Sequence, residues 1–246
     1  MNVALLIIDC VSNLLVGSGK DNDGLIDIMI QKDPVTGIPC IFSSSLKGAL
    51  RQHCSGVLSE DLEKQIFGKK VKSGDSSADI PGGYRFTDAM LLAIPDIQNA
   101  NPYQLVSCKD VVEDLKKEAS MLGGGESLLK KIDDNKGKTS VLINGRTVDL
   151  DVKNFLEYFA DDDRLPVIAR NYLEDGISGN LWYEQVLPRK SRLASFVLYD
   201  GEMNPSFVTA VSDSIVQIGA NATVGYGLCK ISIFTDPAIS KITSDK

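Results

Sequence analysis

Four groups of residues in this chain have the types and spacing to do chemistry. The first is Lys47 with Arg51, four apart behind the serines Ser43, Ser44 and Ser45. That spacing puts both cations on one face of a helix, and a helix start favours an anion through its free N–H groups and its dipole. The pair reads either as a phosphate site or as the solvated face of an ordinary helix. The second is Ile218-Gly-Ala-Asn-Ala-Thr-Val-Gly-Tyr-Gly227. Its glycines let a backbone come close to a ligand, and Tyr226 offers a ring face to a base; the stretch also reads as a plain helix-to-strand turn. The order and spacing of Gly219, Gly225 and Gly227 are not those of a dinucleotide fingerprint. The third is Asp27, a carboxylate among apolar neighbours just after the polar, glycine-rich loop 16–24. It could bind a metal, act as a base or orient a hydroxyl, or simply face solvent from an edge strand. The fourth is residues 165–172 with 179–192, where Arg170, Arg189, Lys190 and Arg192 interleave with Tyr172, Trp182 and Tyr183. This mixture suits phosphate contact and base stacking on a single strand, or a hairpin whose aromatics pack inward. A further basic run, Lys64, Lys69, Lys70 and Lys72, reads as a solvated loop.

Other chemistries are hard to build from what is left. His53 is the only histidine, so triads and histidine metal clusters would all have to use it. The five cysteines, Cys10, Cys40, Cys54, Cys108 and Cys229, contain no CxxC pair, which argues for buried free thiols over a zinc site or a disulfide framework. Gly17-Ser-Gly-Lys20 fails as a phosphate loop, because Leu14 stands at its first glycine and Asp21 at its Ser/Thr. A net charge of −7, from 26 basic and 33 acidic residues, speaks against a free-standing nucleic-acid binder; a local basic face is still compatible with it. Hydrophobic residues at 43% and charged ones at 24% describe an ordinary globular chain. The 246 residues suit one large domain or two small ones. The longest apolar runs, 3–8 and 89–94, fall far short of the ~20 residues that span a bilayer. With no basic segment ahead of the first apolar run, an intracellular, cytoplasmic protein is expected.

These groups need elements to position them. Residues 3–11 read as a strand buried on both faces. Residues 25–31 alternate, and Asp33-Pro-Val-Thr-Gly37 is a turn. Residues 43–54 read as a helix with a serine N-cap, its apolar face formed by Leu46, Ala49, Leu50 and Cys54. Residues 82–94 read as a turn and strand, and 107–122 as an amphipathic helix stopped by Gly123-Gly-Gly125. Asn144-Gly145 signals a hairpin over 141–148, and 152–159 a short helix before the acidic patch Asp161-Asp-Asp163. The last third reads strand 193–198, helix 207–218, glycine loop, strand 228–234, and a frayed tail from 236. The outer parts thus give β–loop–α–β and β–α–β, an α+β arrangement that suits a ferredoxin-like or RNA-recognition-type core. The middle reads as insertions into it.

In combination these segments resemble a known family. Asn13-Leu-Leu-Val-Gly-Ser-Gly19, Gly24-Leu-Ile-Asp-Ile-Met-Ile-Gln31, Thr36-Gly-Ile-Pro39, Ser44-Ser-Leu-Lys-Gly-Ala-Leu-Arg51, Phe86-Thr-Asp-Ala-Met-Leu-Leu92, residues 165–171, Asn180-Leu-Trp-Tyr-Glu184 and residues 219–227 follow one another in that order. They are similar to the RAMP-superfamily backbone subunit of type III-B (Cmr) CRISPR effector complexes. The resemblance implies a single domain: a palm over about 1–95 and 192–235, an inserted helical region and thumb β-hairpin over about 96–191, and the tail 236–246. It implies copies stacked head to tail on a guide RNA beside other Cmr subunits, and a complementary target RNA cut at six-nucleotide intervals with Mg²⁺ or another divalent metal. It gives Asp27 the cutting role and a hold on the metal. It puts Ser44, Ser45, Lys47, Arg51, Gly225, Tyr226 and Gly227 on the guide, Arg170 and Asn171 in the RNA-contacting thumb, and Glu184 in a motif associated with the target-side surface. A non-catalytic RNA-binding scaffold and the equivalent subunit of a type III-A (Csm) complex are the alternatives. Two positions depart from the family: Leu15 stands where histidine is frequent, and Ser43 where glycine is usual.

Overall fold

The computed structural model describes residues 1–20, 24–69, 80–96, 104–125, 128–130, 140–143, 146–150, 155, 159, 165–175 and 177–235. The first strand, β1 (Asn2–Cys10), is apolar on both sides because both sides are covered. Ala4, Leu6 and Ile8 point into a cluster with Leu46, Leu50 and Cys54 of α1 (Ser43–Cys54), while Val3, Leu5 and Ile7 pack with Val112, Leu115 and Ala119 of α3 (Lys109–Met121). Between those helices lies α2 (Glu60–Phe67). Along the chain follow β2 (Gly17–Lys20), β3 (Ile28–Ile30), β4 (Cys40–Ile41), β5 (Arg85–Phe86), β6 (Ala89–Asp96), β7 (Gln104–Ser107), β8 (Ser140–Ile143), β9 (Arg146–Leu150), β10 (Val167–Glu174), β11 (Ile177–Gln185), β12 (Arg192–Tyr199), α4 (Pro205–Val211), β13 (Ile215–Gln217) and β14 (Leu228–Thr235).

Two sheets result. The larger runs β13-β14-β1-β12-β6-β7-β9-β8, with β4 and β5 on its margins. Its centre is antiparallel throughout, β1 lying between β12 and β14 and β12 between β1 and β6. α1 lies in the connection from β1 to β6, and α4 in the connection from β12 to β14. The mixed α+β class read from the sequence is the class observed. The middle of the chain extends the main sheet through β7, β9 and β8, as well as adding to its surface. The smaller sheet, β10-β11-β3-β2, is a long hairpin leaning on two short strands.

Several sequence readings need correcting. The serine N-cap of α1 is displaced: Phe42 holds the N-cap position, and the Ser43 N–H is capped by Asp88 Oδ1 at 2.6 Å, from the break between β5 and β6. The last helix is shorter than 207–218. It ends at Val211, and Asp213, at φ 59, turns the chain into β13, so Ile215 belongs to a strand. The periodicity of Phe207, Val211 and Ile215 runs through that turn and is not continuous helix. Lys64 belongs to α2, where Ser59 caps the start, and it pairs with Glu60 at 2.9 Å. Arg192 is not part of a basic patch. It is 1% exposed and holds Asp9 of β1 through both carboxylate oxygens, at 2.7 and 3.1 Å, while Nη1 donates to Ile143 O. A buried cation needs such complete pairing.

Other readings stand. α1 has the predicted bounds, Asp33 Oδ1 closes its turn on the N–H groups of Val35 and Thr36, and all five cysteines are buried and free. Ile143 faces Arg146 across β8 and β9, the register a two-residue turn gives. Asn144 and Gly145 themselves, residues 21–23 of the first loop, Lys70, Lys72, the patch 161–163, the tail from 236 and most of the short helix at 152–159 lie outside the described residues. Within that last stretch, Phe155 packs edge-on against Phe159.

Candidate nucleic-acid interface

Three pieces converge where β1, β3 and β11 end. The first is the start of α1. Leu46, Leu50 and Cys54 fix its inner face, which leaves Ser44 and Lys47 outward beside a cavity of about 600 Å³ lined also by Ser43, Lys69, Arg85 and Phe86. None of the described residues lining it is acidic. Lys47 has no ion pair or hydrogen bond among the described residues, so its charge is available to an anion. Ser45 turns inward and accepts from Gln31 Nε2 at 3.2 Å. Arg51 is already committed. Its Nη2 donates to Phe67 O and Gly68 O, both at 2.6 Å, its guanidinium lies 5.6 Å from the Phe67 ring, and Nε is 3.8 Å from Glu63. It therefore satisfies the orphan carbonyls at the end of α2. Equal spacing along one face does not give Lys47 and Arg51 one task.

The second piece is the loop 219–227. Ala220 N–H donates to Leu15 O at 2.8 Å, and Gly227 N–H to Asn13 O at 2.8 Å, so segment 13–15 is its floor. Leu15, in the place where the family often has histidine, is 1% exposed. Asn221 and Gly225 adopt left-handed conformations, with φ 61 and 83, on either side of a 3-10 turn at Ala222–Val224. The two glycines that follow differ. A Cβ on Gly227 would lie 1.9 Å from Ile218 O, so that glycine serves the packing. A Cβ on Gly225 would meet nothing within 4 Å, so the loop is open on that side, although the Gly225 N–H itself donates to Ala222 O at 3.0 Å. Tyr226 is half-buried, and the Arg170 guanidinium lies 5.4 Å from its ring, which covers one face.

The third piece is the hairpin β10–β11 and the residue at its base. Its outer part is exposed on both faces, with Tyr172, Leu173, Ile177 and Leu181 each more than half exposed. Apolar side chains on a ribbon clear of the core mark a contact surface. Asn171 accepts from Ser178 Oγ across it at 2.8 Å. At the base, Asp27 is exposed and is held twice by one residue: its N–H donates to Tyr183 O at 3.0 Å, and its Oδ2 accepts from Tyr183 N–H at 2.8 Å. Oδ1 has no hydrogen-bond partner among the described residues. One free carboxylate oxygen suits a divalent cation that draws its other ligands from phosphate and water; among the described residues no cluster of three His, Cys, Asp or Glu side chains could hold one unaided.

Glu184 is not on a surface. It is 2% exposed, accepts from Trp182 Nε1 and Asn221 Nδ2, both at 2.8 Å, and lies 3.7 Å from Arg170 Nε. Its target-side assignment is therefore corrected to an internal one. The residues that join the three pieces were not singled out in the sequence: Gln31, Asp88, Gln185 and Asn221. Gln31 is buried at the end of an alternating stretch. It accepts from Phe42 N–H at 2.8 Å through Oε1 and donates to Gly17 O at 3.3 Å, which links β2 and β3 to the entry of α1. Gln185 is fully buried and accepts from Ile30 N–H at 3.3 Å. The available signal was a polar residue at a position that the alternation assigns to the core.

Sheets flanked by helices, a protruding hairpin and an anion-ready rim define a class, and the chain belongs to it: it is a member of the RAMP superfamily, whose sequence model matches residues 7–230. Among individual proteins it is similar to the CRISPR system Cmr endoribonuclease Cmr4 of Pyrococcus furiosus, 25% identical over 275 residues that cover 88% of this chain and 90% of the relative. The fold is similar to that of a chain in a type III-B Cmr-beta complex bound to cognate target RNA, with TM-score 0.69, 21% identity, and 95% and 97% of the two chains covered. It is also similar to oligomeric Cmr4 from Pyrococcus furiosus, with TM-score 0.61, 18% identity, and 96% and 99% covered.

Proposed function

We propose that this protein is a backbone subunit of a type III-B effector filament. Further copies stack on it head to tail, it holds a guide RNA beside other Cmr subunits, and it cuts complementary target RNA at six-nucleotide intervals. The observation that carries the reading is the placement of Asp27: an exposed carboxylate with one free oxygen, held by two hydrogen bonds to Tyr183 at the foot of a projecting hairpin, four residues before the Gln31 that ties β3 to the α1 entry. The names of the similar proteins and the family membership support it.

In this reading the centre of the large sheet is a ferredoxin-like palm, over about 1–95 and 192–235, with 96–191 as its insertion. Its support is the strand order β14-β1-β12-β6 with helices in the first and last connections. The hairpin β10–β11 is the thumb, with Arg170 at its root and Asn171 above. Guide phosphates meet Lys47 and Ser44 and pass the open side of the loop at Gly225, while Ser45, Arg51, Tyr226 and Gly227 build the surface that presents them. This basic rim serves a chain of net charge −7, because the outer face of a filament can be acidic and soluble while its groove is not.

Cutting needs a geometry that a duplex forbids. A nucleotide pushed out of the duplex can bring its 2′-OH in line with the neighbouring phosphorus, and positioning supplies much of the acceleration. Asp27 would hold a divalent cation through its free oxygen, and that cation would supply charge stabilisation at the scissile phosphate. A histidine is not available to help: Leu15 is buried, and His53 Nε2 is 2.9 Å from Ala210 O on the α4 side. The test is to assemble the complex with a defined guide and present complementary labelled RNA. Fragments at regular intervals, lost on chelation, are expected; retention of the target with no fragments would reduce the subunit to a scaffold.

A further inference from the structure

The carboxylate of Glu184 faces only donors. Oε1 accepts the Trp182 indole N–H, and Oε2 accepts the Asn221 amide with Arg170 beside it. Asn221 is the residue on which the loop 219–227 turns: it has φ 61, and its carbonyl accepts the N–H groups of Val224 at 3.1 Å and Tyr226 at 3.2 Å. On its other side, Glu184 pairs with Ile28 where β11 meets β3. The residues next to that pair, Tyr183 and Asp27, are themselves joined by two hydrogen bonds. One buried carboxylate thus has the glycine loop on one side and the anchor of Asp27 on the other.

We propose that Glu184 is a positioning residue: it fixes the loop 219–227 to β11, the strand whose Tyr183 holds Asp27, so that the grip on one RNA strand and the carboxylate that cuts its complement keep a constant spacing. This rests on the reading of the loop and of Asp27 given above. The chemistry of the contact makes it testable. In Glu184→Gln the charge beside Arg170 is lost and one of the two oxygens that face donors becomes a donor, which Asn221 can meet only by turning its own amide over. Asn221→Asp makes the opposite error, setting two carboxylates against each other. The double variant Glu184→Gln/Asn221→Asp reverses the bond, amide donating and carboxylate accepting, with the charge conserved. Aspartate also tolerates the left-handed conformation at 221.

The complex is assembled with each variant and a defined guide, and guide retention and the rate of cutting are measured. Trp182, the only tryptophan in the chain, reports the contact by its fluorescence in the full chain alone. Asn221→Asp is expected to shift the Trp182 emission and, at saturating guide, to cut about ten-fold slower or worse, as misplacement of a reacting group predicts; Glu184→Gln, which a turned-over Asn221 amide partly rescues, is expected to fall between it and the wild type. The double variant is expected to return to within about three-fold of the wild type, since only coupled residues compensate. Asn221→Asp that cuts at the wild-type rate, or a double variant no faster than Asn221→Asp, overturns the proposal. If a single variant does not fold, the double variant alone decides, recovery supporting and loss overturning. An Asp27→Ala control separates the two levels. If it cuts normally, the reading of Asp27 falls and this proposal with it; if it is inactive while Asn221→Asp cuts normally, only this proposal falls.

Discussion

Tyr183 holds Asp27 at both ends of the aspartate, its carbonyl accepting the Asp27 N–H and its own N–H donating to Oδ2. The two residues are 156 apart in sequence. A short strand near the N-terminus thereby takes its position from the root of the hairpin. The side chain is exposed yet oriented, as a group that must meet a phosphate at a fixed angle has to be.

Lys47 and Arg51 should separate in experiment. Lys47→Ala is expected to weaken guide binding and flatten its dependence on salt by about 0.7, the slope that one neutralised phosphate of a single strand contributes. Arg51→Ala should leave the salt slope alone and lower the unfolding free energy by about 2 kcal/mol, the scale for hydrogen bonds from a charged donor. Titrating RNA binding over a range of salt, with urea denaturation of both variants, checks this. Equal salt slopes for the two variants would contradict the division of roles.

The two neighbouring glycines of the loop give a second contrast. Gly227→Ala drives a methyl into the Ile218 carbonyl and should disrupt the loop and lower the melting temperature. Gly225→Ala has room for its methyl and incurs only left-handed strain, about 1–2 kcal/mol, yet the methyl stands on the side of the loop left open to RNA. Its expected signature is a larger loss in guide affinity than in stability, read by comparing binding with thermal melts.

Stability should fall on the alkaline side. Burial, aided by Glu63, pushes the Cys54 thiol up to about 11, and burial with Asp88 and Asp33 pushes Cys40 up to about 12. The unfolded chain gives up these protons near pH 9 and the folded chain holds them. Stability linked to the two thiols is therefore complete below about pH 9 and declines as pH rises toward 11–12. Denaturant midpoints measured from pH 8 upward should drop, and Cys40→Ser with Cys54→Ser should flatten that drop even while lowering the plateau.

How much of this was legible in the sequence follows the range of the forces involved. β1 and α1 came out because their patterns are local: a continuous apolar run covered on both faces, and apolar residues every three to four positions. The α4 boundary was missed because Asp213 breaks the helix without Gly or Pro. Asp27, Lys47 and the glycine loop were found as residue types. Their division of labour was not, because it depends on partners far along the chain. Arg51 is occupied by carbonyls 16 and 17 residues away, and Glu184 reaches Asn221 across 37. Periodicity carries no information about such pairs.

The central claim is that Asp27 performs the cut within an RNA-guided assembly, and Asp27→Asn tests it most directly. Asparagine keeps an oxygen for the Tyr183 N–H and loses only the charge, so folding, guide retention and target binding should match the wild type. With complementary RNA, the account predicts an intact target still bound after the wild-type complex has cut it, a loss of at least about 100-fold in rate for a displaced reacting charge. Fragments at the same positions and the same rate would contradict it.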